Sequence, residues 1–425
     1  MMKTEMKNSE MPTFHMKLNI PAEGEYGTLV TGYLAIRYYA PWGDGSADGW
    51  QTPVTPPTIS CNGIVLKNEL WFSADSEPST ETPYAVAYLT GNQGAGYDQH
   101  AQYYKCLLTD ISPSDGYSFD IHGTFQQAGY FSIVGYFSAD NNGNPTRFQI
   151  EILDRDLPTT PEGTNPFIIN NPSVFSYDAG ESTTYEVNDA ESERVLPETI
   201  VAPTLRTEVS DDGQVSFFRV DKYTSTYIIA DEIAVDGCSQ GYLYANKNNT
   251  TQEVCILRMK VPETFIHNDS PDTTFSDYQC REFTVGSHIS GYSGLGFWTV
   301  SSRMLNDYID ADGYAYVFFV PDEFAKQLVD EQGTAAKTPP VMTWGNYTGY
   351  VLGNPSYAVI LRYRIPNNTW QGNPINATCY PTPESLEPVT AEELGDFLPE
   401  LYGDTFENFE AGIIGAVTKD ASWPD

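Results

Sequence analysis

Apolar and polar positions alternate with a period of two through most of the chain, in short runs rich in Val, Ile, Tyr and Phe and bounded by Gly, Pro, Asn and Asp. Successive side chains of an extended strand point to opposite faces, so this pattern predicts strands that bury one face and leave the other to solvent. In the first 155 residues it predicts strands over Thr28 to Tyr39, Tyr84 to Thr90, Gln102 to Thr109, Tyr117 to His122, Tyr130 to Ser138 and Thr146 to Leu153. The turn-forming stretches SPSDG and ADNNGNP separate neighbouring strands, with no helical segment between them. That arrangement predicts an antiparallel sandwich and excludes a parallel α/β sheet.

From Asp156 to about Leu205 the pattern lapses into an acidic stretch with recurring Pro, which reads as an extended linker. Phe167 to Ile169 and Val174 to Phe175 interrupt it, so part of this linker is expected to lie along a partner surface. Strand texture returns after the hairpin signal Asp211-Asp212-Gly213, over Gln214 to Val220, Thr226 to Ala230, Glu253 to Val261, Gly296 to Ser301, Tyr314 to Val320 and Tyr357 to Arg364. One short helix is predicted there over Asp322 to Gln332, with Pro321 before it and Gly333 at its stop.

The C-terminal end has a different texture. Thr390 to Glu393 and Asp404 to Glu407 both match the Ser/Thr/Asp-x-x-Glu box that opens a helix, and Leu394, Phe397, Leu398, Leu401, Phe406, Phe409, Ile413 and Ile414 supply an apolar stripe. The expected organisation is therefore all-β: a β-sandwich over 1–155, an acidic Pro-containing linker over 156–210, a second β-sandwich over 211–383, and an acidic amphipathic helical tail over 384–425. The stripe makes the tail a candidate for docking onto another subunit as well as for packing on its own domain.

Charge narrows the partners. With 57 acidic against 22 basic residues the net charge is -35, and no Lys or Arg falls between Arg155 and Arg194 or between Arg364 and Lys419. Nucleic acid and anionic membrane surfaces both require clustered cations, so neither is an expected partner. No apolar run approaches a membrane span, and the opening MMKTEMKNSEMPTFHMKLNI has no apolar core of a secretory signal. The 425 residues carry 29 Tyr, 21 Phe and 7 Trp, which predicts folded domains with aromatic cores. Six cysteines (Cys61, Cys106, Cys238, Cys255, Cys280, Cys379) form no Cys-x-x-Cys, so buried free thiols are expected, with disulfides left open.

Candidate chemistry is sparse. Gly291-Tyr292-Ser293-Gly294-Leu295 misses the second glycine of a nucleophile elbow, and Gly94-Ala95-Gly96 has no following helix to hold a dinucleotide. His15, His100, His122, His267 and His288 are isolated along the chain, and no His metal site is expected. Calcium is the one cofactor considered, because Asp44 to Gly49, Asp140 to Asn144, and Asp307, Asp310 and Asp312 each gather hard oxygen ligands within a few residues. The same residue types build tight turns, and the turn is the preferred reading for all three. Trp42, Trp50, Trp344 and Tyr347 sit in loop-like sequence and are candidate glycan- or partner-binding residues. The sequons at Asn248, Asn249, Asn268, Asn346, Asn367 and Asn376 are read as chance triplets in an Asn- and Thr-rich β chain.

Ser112 to Leu153 contains Ala128-Gly129-Tyr130, then Asn141-Asn142-Gly143, then Thr146-Arg147-Phe148-Gln149-Ile150, and Met16 to Ile20 supplies an opening strand. In these places residues 12–155 resemble the immunoglobulin-like N-terminal module of phage baseplate upper and fibre proteins, with Ala40 to Lys67 as an insertion that departs from the pattern. The resemblance implies an Ig-like fold and a virion location. A homo-oligomeric, non-enzymatic virion structural protein, contacting other virion proteins and a cell-surface glycan, is the function expected. A surface carbohydrate-binding or adhesive sandwich and a double jelly-roll capsid subunit are the alternatives.

Overall fold

The computed structural model describes residues 13–24, 27–41, 55–72, 101–124, 128–153, 182–187, 196–197, 210, 214–219, 240–247, 253–264, 278–289, 296–305, 308–320, 341–343, 357–367, 369–378, 387–405, 407–408, 413–414 and 417–418. Most of them are strands in antiparallel sheets, and the helices are single turns. The chain is all-β.

The first group comprises β1 (Thr13–Ile20), β2 (Glu23–Gly24), β3 (Gly27–Pro41), β4 (Thr58–Cys61), β5 (Ile64–Val65), β6 (Asn68–Phe72), β7 (Ala101–Leu107), β8 (Tyr117–Thr124), β9 (Ala128–Asn141), β10 (Asn144–Leu153), β11 (Ser182–Val187) and β12 (Leu196–Pro197). They form one sheet in the order β11-β1-β8-β4-β5 and another in the order β12-β10-β9-β3-β7-β6, with β2 paired to β3. Strand alternation explains why the two sheets face each other. Phe14, Met16, Leu18 and Ile20 of β1, Tyr117, Phe119 and Ile121 of β8, and Phe131, Ile133 and Phe137 of β9 are all buried in a single apolar cluster. Its centre is aromatic: Phe131 packs against Phe14 and Tyr38, with ring centroids 5.7 and 4.8 Å away, and Phe137 against Tyr117 at 6.0 Å.

Two tight hairpins follow from Asn-Gly. Asn142 and Gly143 have φ of 56° and 84° between the paired residues Asn141 and Asn144, the two-residue turn whose twist matches that of the flanking strands. Asn62 and Gly63, at 50° and 80°, do the same between Cys61 and Ile64. The second hairpin lies within Ala40 to Lys67, the segment that departs from the family pattern. Thr58 to Cys61 pair with β8, and Ile59 and Cys61 are fully buried in the core, so these four residues are part of the sheet. Within the expected linker, β11 adds to β1 in parallel and β12 pairs with β10. The predicted strand Tyr84 to Thr90 lies outside the described residues.

The second group comprises β13 (Gln214–Val215), β14 (Phe218–Arg219), β15 (Gln240–Lys247), β16 (Val254–Lys260), β17 (Cys280–Ile289), β18 (Gly296–Ser301), β19 (Tyr314–Val320), β20 (Val341–Thr343), β21 (Tyr357–Pro366) and β22 (Glu400–Asp404). Its sheets run β13-β22-β16-β19-β20 and β14-β15-β21-β17-β18, and they share a second buried cluster. β15 and β17 are strands that the hydrophobic pattern did not reveal. In β17 the reason is visible: Glu282 and Thr284 are buried on the face opposite Phe283 and Val285, and their register partners Arg364 and Arg362 on β21 are buried too. Opposite charges at directly opposed positions take the place of an apolar row there. The predicted strand Thr226 to Ala230 and helix Asp322 to Gln332 lie outside the described residues.

Among the described residues the tail is α-helical in two short pieces, Ala391–Leu394 and residues 407–408, with a strand between them. Thr390 does open a helix, Ala391–Leu394, in which the Glu393 carboxylate accepts hydrogen bonds from the Thr390 N–H at 2.9 Å and the Thr378 N–H at 2.8 Å. Gly395 then takes a left-handed φ of 59° and Pro399 follows, so the helix ends after one turn. The apolar stripe continues as β22, which inserts between β13 and β16 and buries Leu401 completely, with Leu257 and Val215 as its register partners. Ile413–Ile414 pairs with Val417–Thr418 as a small hairpin, β23 with β24.

Candidate metal centre and the acidic turns

β1 and β8 run antiparallel, with His15 opposite His122 and Lys17 opposite Asp120. Because their even-numbered and odd-numbered neighbours respectively fill the core, these four side chains all stand on the outer face of the sheet. Directly opposed residues on one face are close enough to interact, and here the two imidazoles stack, with centroids 3.8 Å apart and planes inclined by 17°. Asp120 lies two residues from His122 along β8 and diagonal to His15. Its Oδ1 is hydrogen-bonded to His15 Nε2 and lies 3.0 Å from His122 Nε2.

The cluster is open to solvent on one side: His15 is 19% exposed, Asp120 43% and His122 55%. Burial is the largest single effect and pushes the Asp120 carboxyl up, but the hydrogen bond with His15 and the electrostatic attraction of His122, His15 and Lys17 together outweigh it and hold the group below the usual carboxylate range. One ligand atom from each of His15, Asp120 and His122 lies within 4.8 Å of the others, the one grouping of this kind among the described residues.

This corrects the expectation that the histidines are isolated. Asp120-Ile121-His122 carried half of the signal, since residues two apart on a strand share a face. The other half depends on which residue of a distant strand faces them, and 107 positions of sequence separate His15 from His122.

The acidic loops resolve differently. Asp310 Oδ1 accepts the main-chain N–H of Asp312 at 2.9 Å and of Tyr314 at 2.8 Å, while Gly313, at φ 88°, closes the turn into β19. This is an Asx turn, and its carboxylate oxygen is already occupied by backbone donors. Asp140 Oδ1 likewise accepts the Gly143 N–H inside the β9–β10 hairpin. Asp307, the loop Asp44 to Gly49, Trp42, Trp50, Trp344 and Tyr347 lie outside the described residues, as do Gly94 to Gly96 and Gly291 to Leu295.

Of the sequons, Asn367 is built into the fold: its amide donates to the Tyr278 carbonyl and its Oδ1 accepts from Thr369 N and Oγ1, the last at 2.8 Å. Cys61 and Cys280 are buried free thiols, and Cys106 and Cys255 are buried as well. Burial pushes the Cys61 thiol up to about 12, against a small opposing effect of a hydrogen bond to the Ser118 backbone, and raises Cys280 well above its ordinary value. Neither is a reactive thiolate at neutral pH.

No helix among the described residues is long and apolar enough to cross a membrane. No protein family, no curated protein and no solved structure matches this chain.

Proposed function

We propose that the protein is a non-enzymatic structural component of a phage virion, of the fibre, decoration or baseplate type, assembled as a homo-oligomer with other virion proteins. In this reading the two groups of strands are independent sandwich domains, the first Ig-like, and one anchors the chain to the particle while the other faces outward. The observation that carries it is the pair of separate apolar clusters, each closed by its own two sheets. The likeness of residues 12–155 to phage baseplate and fibre modules points the same way.

The strand orders of the two groups differ, which favours two unlike modules over the repeated folds of a double jelly-roll capsid subunit. A net charge of -35 keeps a protein present in many copies soluble and repels it from packaged nucleic acid. Mass spectrometry of density-banded particles tests the proposal. Stoichiometric recovery of this chain with the particles is expected, and recovery in the soluble fraction alone overturns it.

A further inference from the structure

We propose that His15, Asp120 and His122 form an exchangeable site for a divalent transition-metal ion of the zinc class on the outer face of the first sheet. The inference is independent of the role in assembly. Two imidazoles and one carboxylate are the donor set of open zinc and related sites, and they fit a borderline cation better than calcium, which selects oxygen ligands.

The geometry is suited to one shared ion. Both Nε2 atoms already converge on the same carboxylate oxygen, with His122 Nε2 at 3.0 Å from it. Ligands held at the usual zinc distances of about 2.0–2.2 Å in a tetrahedron stand roughly 3.3 Å from one another, so the ion can enter with small rotations of the rings. Such an ion would bind the Nε2 lone pair of each neutral imidazole, with the ring proton on Nδ1.

The surroundings support these side chains without closing the site. β1 and β8 lie in the interior of the sheet, flanked by β11 and β4, and the inward neighbours Phe14, Met16, Phe119 and Ile121 are buried in the core, which fixes both backbones. Along the neighbouring strands, the backbone register pairs Ser60 with Asp120, Thr58 with His122, Thr184 with His15 and Glu186 with Lys17. Lys17 disfavours a cation, but the Asp120 carboxylate and the net charge of -35 on the chain favour one. With His122 more than half exposed, at 55%, the remaining coordination positions face water, which makes the site exchangeable in contrast to a closed structural zinc.

The test uses the tag-free full-length chain with Co2+ as the spectroscopic probe and Zn2+ as competitor. One Co2+ per chain should give a visible ligand-field band that one equivalent of Zn2+ removes. Even the outer partners of metal ligands are worth about 10- to 100-fold in affinity, so His15→Gln and His122→Gln should each weaken zinc binding at least that much. Asp120→Asn should weaken it too, and His267→Gln should leave it unchanged. Circular dichroism checks that each variant is folded, which the exposure of His122 favours. The proposal is overturned if the wild-type chain gives no such band. It is equally overturned if the folded His122→Gln and Asp120→Asn variants bind Zn2+ as the wild type does, or if the imidazoles of the wild type titrate with protons yet ignore Zn2+.

Discussion

Removing residues 384–425 should unfold the second group of sheets, around the second apolar cluster, and leave the first cluster intact. The truncated segment carries β22, whose neighbours on either side are β13 and β16. Its loss strips β13 of its only partner strand among the described residues and exposes one edge of β16, where the main-chain groups of Val254 to Arg258 that face β22 lose their partners. It also removes Leu394 and Leu401, both fully buried in the second cluster, and Phe397, whose ring meets that of Trp370 edge-on at 4.9 Å. Truncating one fully buried Leu to Ala costs about 2–5 kcal/mol, so these two leucines alone are worth roughly 4–10 kcal/mol. A domain has a total of about 5–15 kcal/mol, so the truncated group has little or nothing left. The graded version is Leu401→Ala, which should lower stability by about 2–5 kcal/mol without abolishing folding. Urea unfolding followed by circular dichroism, with pulse proteolysis and mass spectrometry to tell the two halves apart, reads both. The reasoning is refuted if the chain ending at Pro383 keeps the second transition at the wild-type urea midpoint, or if Leu401→Ala costs less than about 1 kcal/mol.

Two glycines with similar backbone angles should respond unequally. Gly27 (φ 97°) has no room for a Cβ against the Asp140 carbonyl, whereas Gly63 (φ 80°) faces open space, so Gly63→Ala should cost about 1–2 kcal/mol and Gly27→Ala clearly more in denaturant titrations. Burial raises the Glu393 carboxyl, but hydrogen bonds from Thr378 and Thr390 outweigh it and hold the group below its ordinary range. That stabilisation is complete above the unfolded value of about 4.3 and is lost as pH falls through the lower folded value. Glu393→Gln should therefore cost about 1 kcal/mol at pH 7, and the difference from wild type should vanish in strong acid, as measured by thermal melts across pH. Chelating calcium with EGTA should leave the wild-type melt unchanged, because the Asp310 carboxylate is engaged by backbone N–H groups; a lower midpoint that Asp310→Asn abolishes would restore a calcium role for that turn. Cys61 and Cys280 should resist a disulfide-exchange reagent in the native chain at pH 8 and react only on unfolding, followed by the absorbance of the released thiolate.

Strand identity and face in the regularly alternating segments, and the tight turns, were determined by the sequence alone. Phe14, Met16, Leu18 and Ile20 alternate with His15, Lys17 and Asn19, and that period assigns one set to the core and the other to the outside whatever the partner strand. Asn142-Gly143 needs a positive φ at both positions and so makes its hairpin locally, and Thr390 to Glu393 opens its helix by bonds within four residues. Asp310 reads as a turn residue for the same local reason. What lay beyond the sequence is the choice of neighbour and register. The stripe from Leu394 to Leu401 has helical spacing, yet a gap between β13 and β16 takes its second half as a strand, a choice made by long-range pairing over local propensity. Glu282 and Arg364 hide a strand from any hydrophobic count because each charge is buried opposite the other. The histidine cluster exists only because Phe14 and Met16 seat β1 against β8 in the one register that sets His15 beside His122. A slip of a single residue would turn His15 into the core, so the site is a consequence of how the two inner faces pack.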